Sequence, residues 1–266
     1  MILASGDGEF PPISHLVNWK ELFLGGTPFA MNKVVFINIA AALVTVLVFA
    51  VANSKKGFVP RGVQNYTEGA IDLVGGIIGD VMPHDDEHHK YGSKKFLPLL
   101  VAMFFFIFFN NIAGIIPFVQ MPGTARMALP LFLSLLVLLV SNFYGIKQNG
   151  VGTHFKSALF PPGVPKVLYI LVTPIELLSQ FIVRPFSLAV RLFANVFAGH
   201  LLLVIFGFLS NKLITSDTFA LKPVAILPFL MLLFLTLFEV MVAFLQAYIF
   251  TLLSAVYIGG YLHPEH

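Results

Sequence analysis

An all-α, polytopic integral membrane fold is what this sequence predicts, and three observations carry that expectation. Of its 266 residues, 58% are hydrophobic and 11% charged, against roughly 25% charged in soluble domains. Apolar runs of about 20 residues or more, the length that crosses a bilayer as a helix, recur along the chain. Period-2 alternation of the kind a lipid-facing barrel strand needs is absent, so helices are expected to satisfy the backbone. With no cysteine, disulfide frameworks, thiolate nucleophiles and Cys-ligated zinc or iron–sulfur sites are excluded. The 16 basic and 13 acidic residues lie beside apolar segments rather than in an aromatic-interleaved patch. That arrangement suits membrane lipid and argues against nucleic acid as a partner.

Residues 1–33 begin polar and acidic without a signal-peptide pattern, and read as a segment external to the membrane. Residues 34–52 form the first expected crossing. In 62–82, Val63, Tyr66, Ala70, Val74, Ile77, Ile78 and Val81 recur at helical spacing, with Gln64, Glu68, Asp72 and Asp80 elsewhere. That pattern predicts an amphipathic helix along the membrane interface, its acidic face better suited to a partner protein than to anionic lipid. Residues 96–119 and 127–146 each approach the ~20 residues that cross ~30 Å of hydrocarbon. The runs 167–210 and 223–262 are too long to cross upright, since the first would extend ~66 Å at about 1.5 Å per residue. Both are expected to be long tilted helices, giving about five crossings and one interfacial helix in a single membrane domain.

Orientation follows from the basic residues. Lys55, Lys56, Arg61, Lys90, Lys94, Lys95, Lys147, Lys156 and Lys166 fall on one side of the expected spans, and Lys20, Lys33, Arg126, Lys212 and Lys222 on the other. The richer side is expected to be cytoplasmic, which puts the N-terminus outside and the C-terminus inside. No internal repeat relates the two halves, which counts against an inverted-repeat transporter.

Two stretches hold residues that can carry chemistry. His84, His88 and His89 lie in an acidic run between Pro83 and Gly92, and His84 with His88 has a spacing that can bind zinc. Without H-E-x-x-H or an evident third ligand, the run reads as a solvated loop, and neither metal nor cofactor is expected. The long C-terminal runs contain Glu176, Arg184, Arg191, His200 and Glu239, and each charge at the bilayer centre costs at least ~2.5 kcal/mol. Snorkelling to an interface accounts for Glu176 and Arg184. Arg191 lies ~20 residues from either end of its run and has no acid one turn away, so a functional role is expected. Arg184, Ser187 and Asn195 share its helical stripe. In two antiparallel helices, residues at equal depth have numbers with a constant sum. His200 and Glu239 add to 439 and Arg191 and Gln246 to 437, which places an acid with an imidazole toward the outside and the arginine with an amide near the middle.

The stretch Arg184-Pro-Phe-Ser-Leu-Ala-Val-Arg191-Leu-Phe-Ala-Asn195-Val-Phe-Ala-Gly-His200-Leu, followed by Gln246-Ala-Tyr-Ile-Phe-Thr-Leu-Leu, strongly resembles subunit a of F-type ATP synthases, in particular bacterial ones. Phe108-Phe-Asn-Asn-Ile-Ala-Gly-Ile-Ile-Pro117 is similar to the family as well. The resemblance implies a stator subunit that makes no ATP itself and conducts protons through two offset half channels to and from the carboxyl groups of a rotating c ring. It implies peripheral-stalk b subunits and the catalytic head as further partners, and a bacterial plasma membrane as location. Arg191 matches the family's essential arginine, which keeps the passing carboxylate ionised and blocks a direct leak. Asn195, His200, Glu239 and Gln246 match positions along the outer half channel or beside the arginine, with the acid and the histidine exchanged relative to some members. Glu176 is offset by about a residue from an acidic position in some relatives. A secondary proton-coupled transporter with Arg191 as a midplane anion site, and a membrane scaffold, are the competing readings.

Overall fold

In the computed structural model the described residues are 32–54, 62–82, 93–116, 122–160, 165, 168–216, 218–219 and 222–262. The histidines at 84, 88 and 89, the external segment before Asn32 and the C-terminal His266 lie outside them. Among the described residues the chain is entirely helical, without strands. Helix α1 (Lys33–Ser54) starts where the Asn32 side-chain oxygen accepts the Val35 N–H at 3.1 Å, a side-chain cap on an otherwise orphaned donor. Next come α2 (Val63–Val81) and α3 (Leu97–Ala113), the latter with Pro98 in its first turn, where no N–H is needed. Helices α4 (Ala128–Asn149) and α5 (Val151–Leu159) precede the long pair.

The first member of that pair runs from Tyr169 to Ile214 as α6 (Tyr169–Leu178), a π-helical turn (Ser179–Val183) and α7 (Arg184–Ile214). The second is α8 (Ile226–Leu262), entered through a 3-10 turn at Pro223–Ala225. Among the described residues four stretches are long and apolar enough to cross a membrane, 33–52, 128–149, 169–214 and 223–262, and α3 is a shorter apolar helix.

Two features depart from the sequence expectations. Helix α3 stops at Ala113, followed by Gly114, earlier than the apolar run to Val119 suggested; hydropathy does not register a glycine or the Pro117 that forbids helix just before it. The stretch 147–166, outside the expected helices, contains α5. Its hairpin with α4 depends on Gly150, whose φ of 80° is strained for any residue with a side chain. The long helix expected over the next run continues through both Pro174 and Pro185. Pro174 lies inside α6 and Pro185 in the first turn of α7, and the wide turn between them absorbs the mismatch in the backbone ladder.

Helix α8 is the centre of the packing. Its Ala247, Phe250, Ala255, Ile258 and Leu262 meet Leu100, Phe104 and Ile107 of α3, Leu133 and Val137 of α4, and Leu188 and Leu192 of α7. The C-terminal half of the apolar face of α2 packs inward, with Val74, Ile77, Ile78 and the following Met82 in the same core, while Tyr66 stays exposed. By contrast Phe36, Leu139, Ile170 and Leu237 are exposed, as expected where the surrounding medium is itself hydrocarbon. The α4–α5 hairpin is tied to the end of α8. Asn149 donates to the Tyr261 carbonyl at 3.1 Å, and the His154 ring, fully buried, packs on Tyr261 with a centroid distance of 5.2 Å and meets the Asn142 side-chain oxygen at 3.0 Å. Burial pushes the His154 imidazole below its ordinary value and so favours its neutral form.

Candidate functional site

Helix α7 divides its two sides by a simple periodicity. Leu188, Leu192, Val196 and Gly199 face inward and are buried, whereas Ser187, Arg191 and Asn195, four residues apart, lie on the exposed side. Arg191 has no hydrogen-bond or ion-pair partner among the described residues. A guanidinium carries five donors and keeps its proton, so on a lipid-depth surface it calls for a polar or anionic partner.

Toward the Ile214 end, Asn195 donates to Gln246 of α8 at 3.1 Å, and Gln246 is buried. The depth sum had matched Gln246 to Arg191. The structure bonds it to Asn195, one helical turn further along, because the sum fixes height along the two rods and not rotation about their axes. One more turn along, His200 and Glu239 line a narrow cavity of about 10 Å³ together with Asn111, Gly114, Val196 and Ala243, the space about one water requires. The His200 Nε2 and the Asn111 Nδ2 are both buried without a partner among the described residues. Two unpaired polar atoms at one cavity define a place for water bridging an imidazole, an amide and a carboxyl group. The Thr124 hydroxyl donates to the Asn111 side-chain oxygen at 2.8 Å and fixes that amide.

Glycine at 199 leaves the Glu239 carboxyl group its place. A Cβ there would strike that carboxyl group, which occupies the volume a side chain would fill. Gly199→Ala is therefore expected to displace the Glu239 carboxyl group, although alanine is the better helix former. A structure of the variant checks this, and an unmoved Glu239 would show that it needs no such seat.

Toward the Tyr169 end lies a second narrow cavity, lined by Ser134, Ser141, Gln180, Arg184, Leu188, Tyr257 and Tyr261 among others. Half-buried Arg184 places its guanidinium 5.6 Å from the centre of the Tyr257 ring, a cation–π contact. Half-buried Glu176 accepts a 3.3 Å hydrogen bond from Gln180. Of the residues singled out in the sequence, the structure thus gathers His200 with Glu239 and Asn195 with Gln246, places Glu176 and Arg184 at the opposite end, and leaves Ser187 and Arg191 on the exposed face between. The sequence reading missed Asn111, Thr124, Gln180 and the two tyrosines. The signal available for Asn111 was an Asn pair in an otherwise apolar helix, and intramembrane amides are seldom placed toward lipid.

A polytopic helical membrane protein with an exposed arginine midway along a rod, and a narrow cavity holding polar side chains toward either end of it, fits the class of ion-translocating membrane subunits. The comparisons name the family. Residues 34–259 match the family model described as ATP synthase A chain. The chain is 36% identical to the ATP synthase subunit a of Frankia alni, over 98% of this chain and 88% of that one. It is 38% identical to that of a Parafrankia species, over 98% and 86%, and 32% identical to that of Mesorhizobium japonicum, over 95% of each. This chain belongs to the ATP synthase A chain family, the membrane-embedded, proton-translocating subunits of that complex, which are not themselves catalytic for ATP.

Proposed function

We propose that this chain is the stator channel of a bacterial ATP synthase, passing protons through two offset half channels to a ring of c subunits and so coupling proton-motive force to ATP synthesis. The observation that carries this reading is the pair of separate cavities flanking Arg191. Arg184 at one and His200 at the other are 16 residues apart along the same helix, or ~24 Å at 1.5 Å per residue. A proton entering one cavity cannot reach the other through the chain without passing a fixed positive charge. It must leave on a mobile carrier at the exposed face.

In this reading the carrier is the ring carboxyl group. Arg191 holds it ionised as it passes, so it can shed its proton on one side and gain another on the other side. Asn195 and Gln246 support the arginine, and His200 and Glu239 relay protons in the outer half channel. Ser187, on the arginine's stripe, belongs to the ring-facing surface, and Glu176 and Arg184 stand toward the inner side. Each proton crossing 100 mV delivers about 2.3 kcal/mol, which becomes torque because the half channels do not meet. Peripheral-stalk b subunits hold the chain against the torque, and the catalytic head uses it.

Bacterial relatives and the basic bias of nine residues against five support a plasma-membrane location with the 53–95 segment and the C-terminus cytoplasmic. The absence of native cysteine makes the test clean. Asp86→Cys and His266→Cys are expected to react with an impermeant thiol reagent in inverted vesicles and not in intact cells, and the reverse pattern overturns the orientation. Copurification in mild detergent with a ring of small two-helix subunits tests the partner assignment. A solute-dependent flux in the purified chain alone would favour the transporter reading instead.

A further inference from the structure

The cavity on the Tyr169 side of Arg191 has two features that a half channel does not by itself require. The first is the π turn. Glu176 and Arg184 are eight residues apart, and in an unbroken α-helix eight residues turn through about 800°, leaving the two side chains about 80° apart. The turn at Ser179–Val183 takes one extra residue into a single turn. The effective spacing becomes about seven, and the acid and the guanidinium come within about 20° of one face. Gln180, inside that turn, pins it: its amide donates to the Ala158 carbonyl of α5 at 2.7 Å and to the Glu176 carboxyl group at 3.3 Å.

The second feature is Tyr261. It is 7% exposed, it lines the cavity, and its hydroxyl is buried without a partner among the described residues. On α4, the Ser134 and Ser141 hydroxyls donate to the carbonyls of Leu131 and Leu138, which leaves their lone pairs for a donor in the cavity. The cavity near the outer end has the same signature, an unpartnered polar atom beside water-sized space. A buried hydroxyl in such a place is satisfied by water.

Resting on the half-channel reading, we propose that Tyr261 is a positioning residue of the inner half channel: its hydroxyl anchors the water through which protons pass between the Arg191 face and the cytoplasmic side. The π turn sets Glu176 and Arg184 on the wall of that passage. The hydroxyl undergoes no net change. It holds a water in line between the Ser141 hydroxyl and the Arg184 end, and the ring keeps its packing on His154 whether or not the hydroxyl is present.

The experiment uses the assembled complex in inverted vesicles. Tyr261→Phe removes one oxygen and leaves the ring, and is expected to lower proton flux per assembled complex about threefold to tenfold, the span a single lost hydrogen bond produces. Ser141→Cys supplies the only thiol in the chain, and silver ion added from the cytoplasmic side is expected to block flux. In the Tyr261→Phe background that silver reaction is expected to slow, because the water that carries the ion has lost its anchor; a tyrosine that merely packs would leave it unmoved. Normal flux in Tyr261→Phe, a loss confined to the amount of complex assembled, or no silver block at Ser141→Cys overturns the proposal. Arg191→Ala, run beside them, separates the two levels. If it keeps coupled synthesis the half-channel reading itself fails, and if it loses it while Tyr261→Phe is normal, only the role of Tyr261 fails.

Discussion

Arg191→Ala is expected to abolish proton-driven ATP synthesis while the chain still inserts and assembles. Arg191 is exposed on α7 and has no partner among the described residues, so its removal breaks no internal pair and leaves no buried charge stranded. It also removes an intramembrane charge that costs ~2.5 to 3.5 kcal/mol on insertion scales. Stability should be unchanged or improved, and function lost completely, a combination that separates a functional arginine from a structural one. Passive proton conduction through the membrane sector should rise, because the barrier between the two cavities is gone. Arg191→Lys should fail as well. Lysine keeps a positive charge but presents it as a compact ammonium that sheds its proton when desolvated, and it lacks the planar fork that can follow a moving carboxylate. Normal synthesis by either variant would remove Arg191 from the mechanism.

The second large effect concerns His200 and Glu239. They line one cavity from facing helices, with the His200 Nε2 unpaired among the described residues and the Glu239 carboxyl group seated against Gly199. If both serve one proton relay, losing either interrupts it, and each of His200→Ala and Glu239→Ala is expected to cut proton flux on the order of 100-fold, the lower end of what a positioned acid–base group contributes. The exchange His200→Glu with Glu239→His keeps one acid and one imidazole at the same depth. It is expected to recover well beyond the product of the two single exchanges, because groups sharing a site titrate and act as a unit. The Gly199 seat limits that recovery: a carboxyl group tethered at 200 approaches from the other wall, and an imidazole at 239 must fit against the glycine. Flux measured in all the variants decides the matter. An exchange no better than the product would mean that the two residues serve separate steps.

How much of this was legible in the sequence differs from residue to residue. The membrane class followed from composition, and the long C-terminal pair from apolar runs that no upright crossing accommodates. That Ser187, Arg191 and Asn195 share a face followed from the 3.6-residue period, because residues four apart on one helix face the same way; that this face is exposed, and that Arg184 leaves the same expected stripe to line a cavity half-buried, did not. The depth sum found His200 opposite Glu239 and came within one turn for Gln246. Its error has a plain cause: it measures height along two ideal rods and carries no information on rotation about their axes.

Everything that required a third helix was decided by tertiary structure. Asn111 reaches the His200 cavity, with Thr124 bonded behind it, only because α3 packs against α8 and the 123–125 turn against α7, and an amide in an apolar helix does not announce which neighbour it will meet. The clearance at Gly199 depends on a side chain 40 residues away in sequence, and Tyr261 faces Arg184 because α8 returns antiparallel to α7. The π turn at Ser179–Val183 was hidden for a different reason. A one-residue register shift leaves hydrophobic periodicity almost unchanged over so short a span, yet it rotates the rest of the helix by about 100°, and only the packing partners on both sides of it fix where that rotation falls. Local periodicity set which residues could share a face; the contacts between helices distant in sequence set which faces meet, because that choice rests on side-chain volumes and unpaired polar atoms that a single segment does not contain.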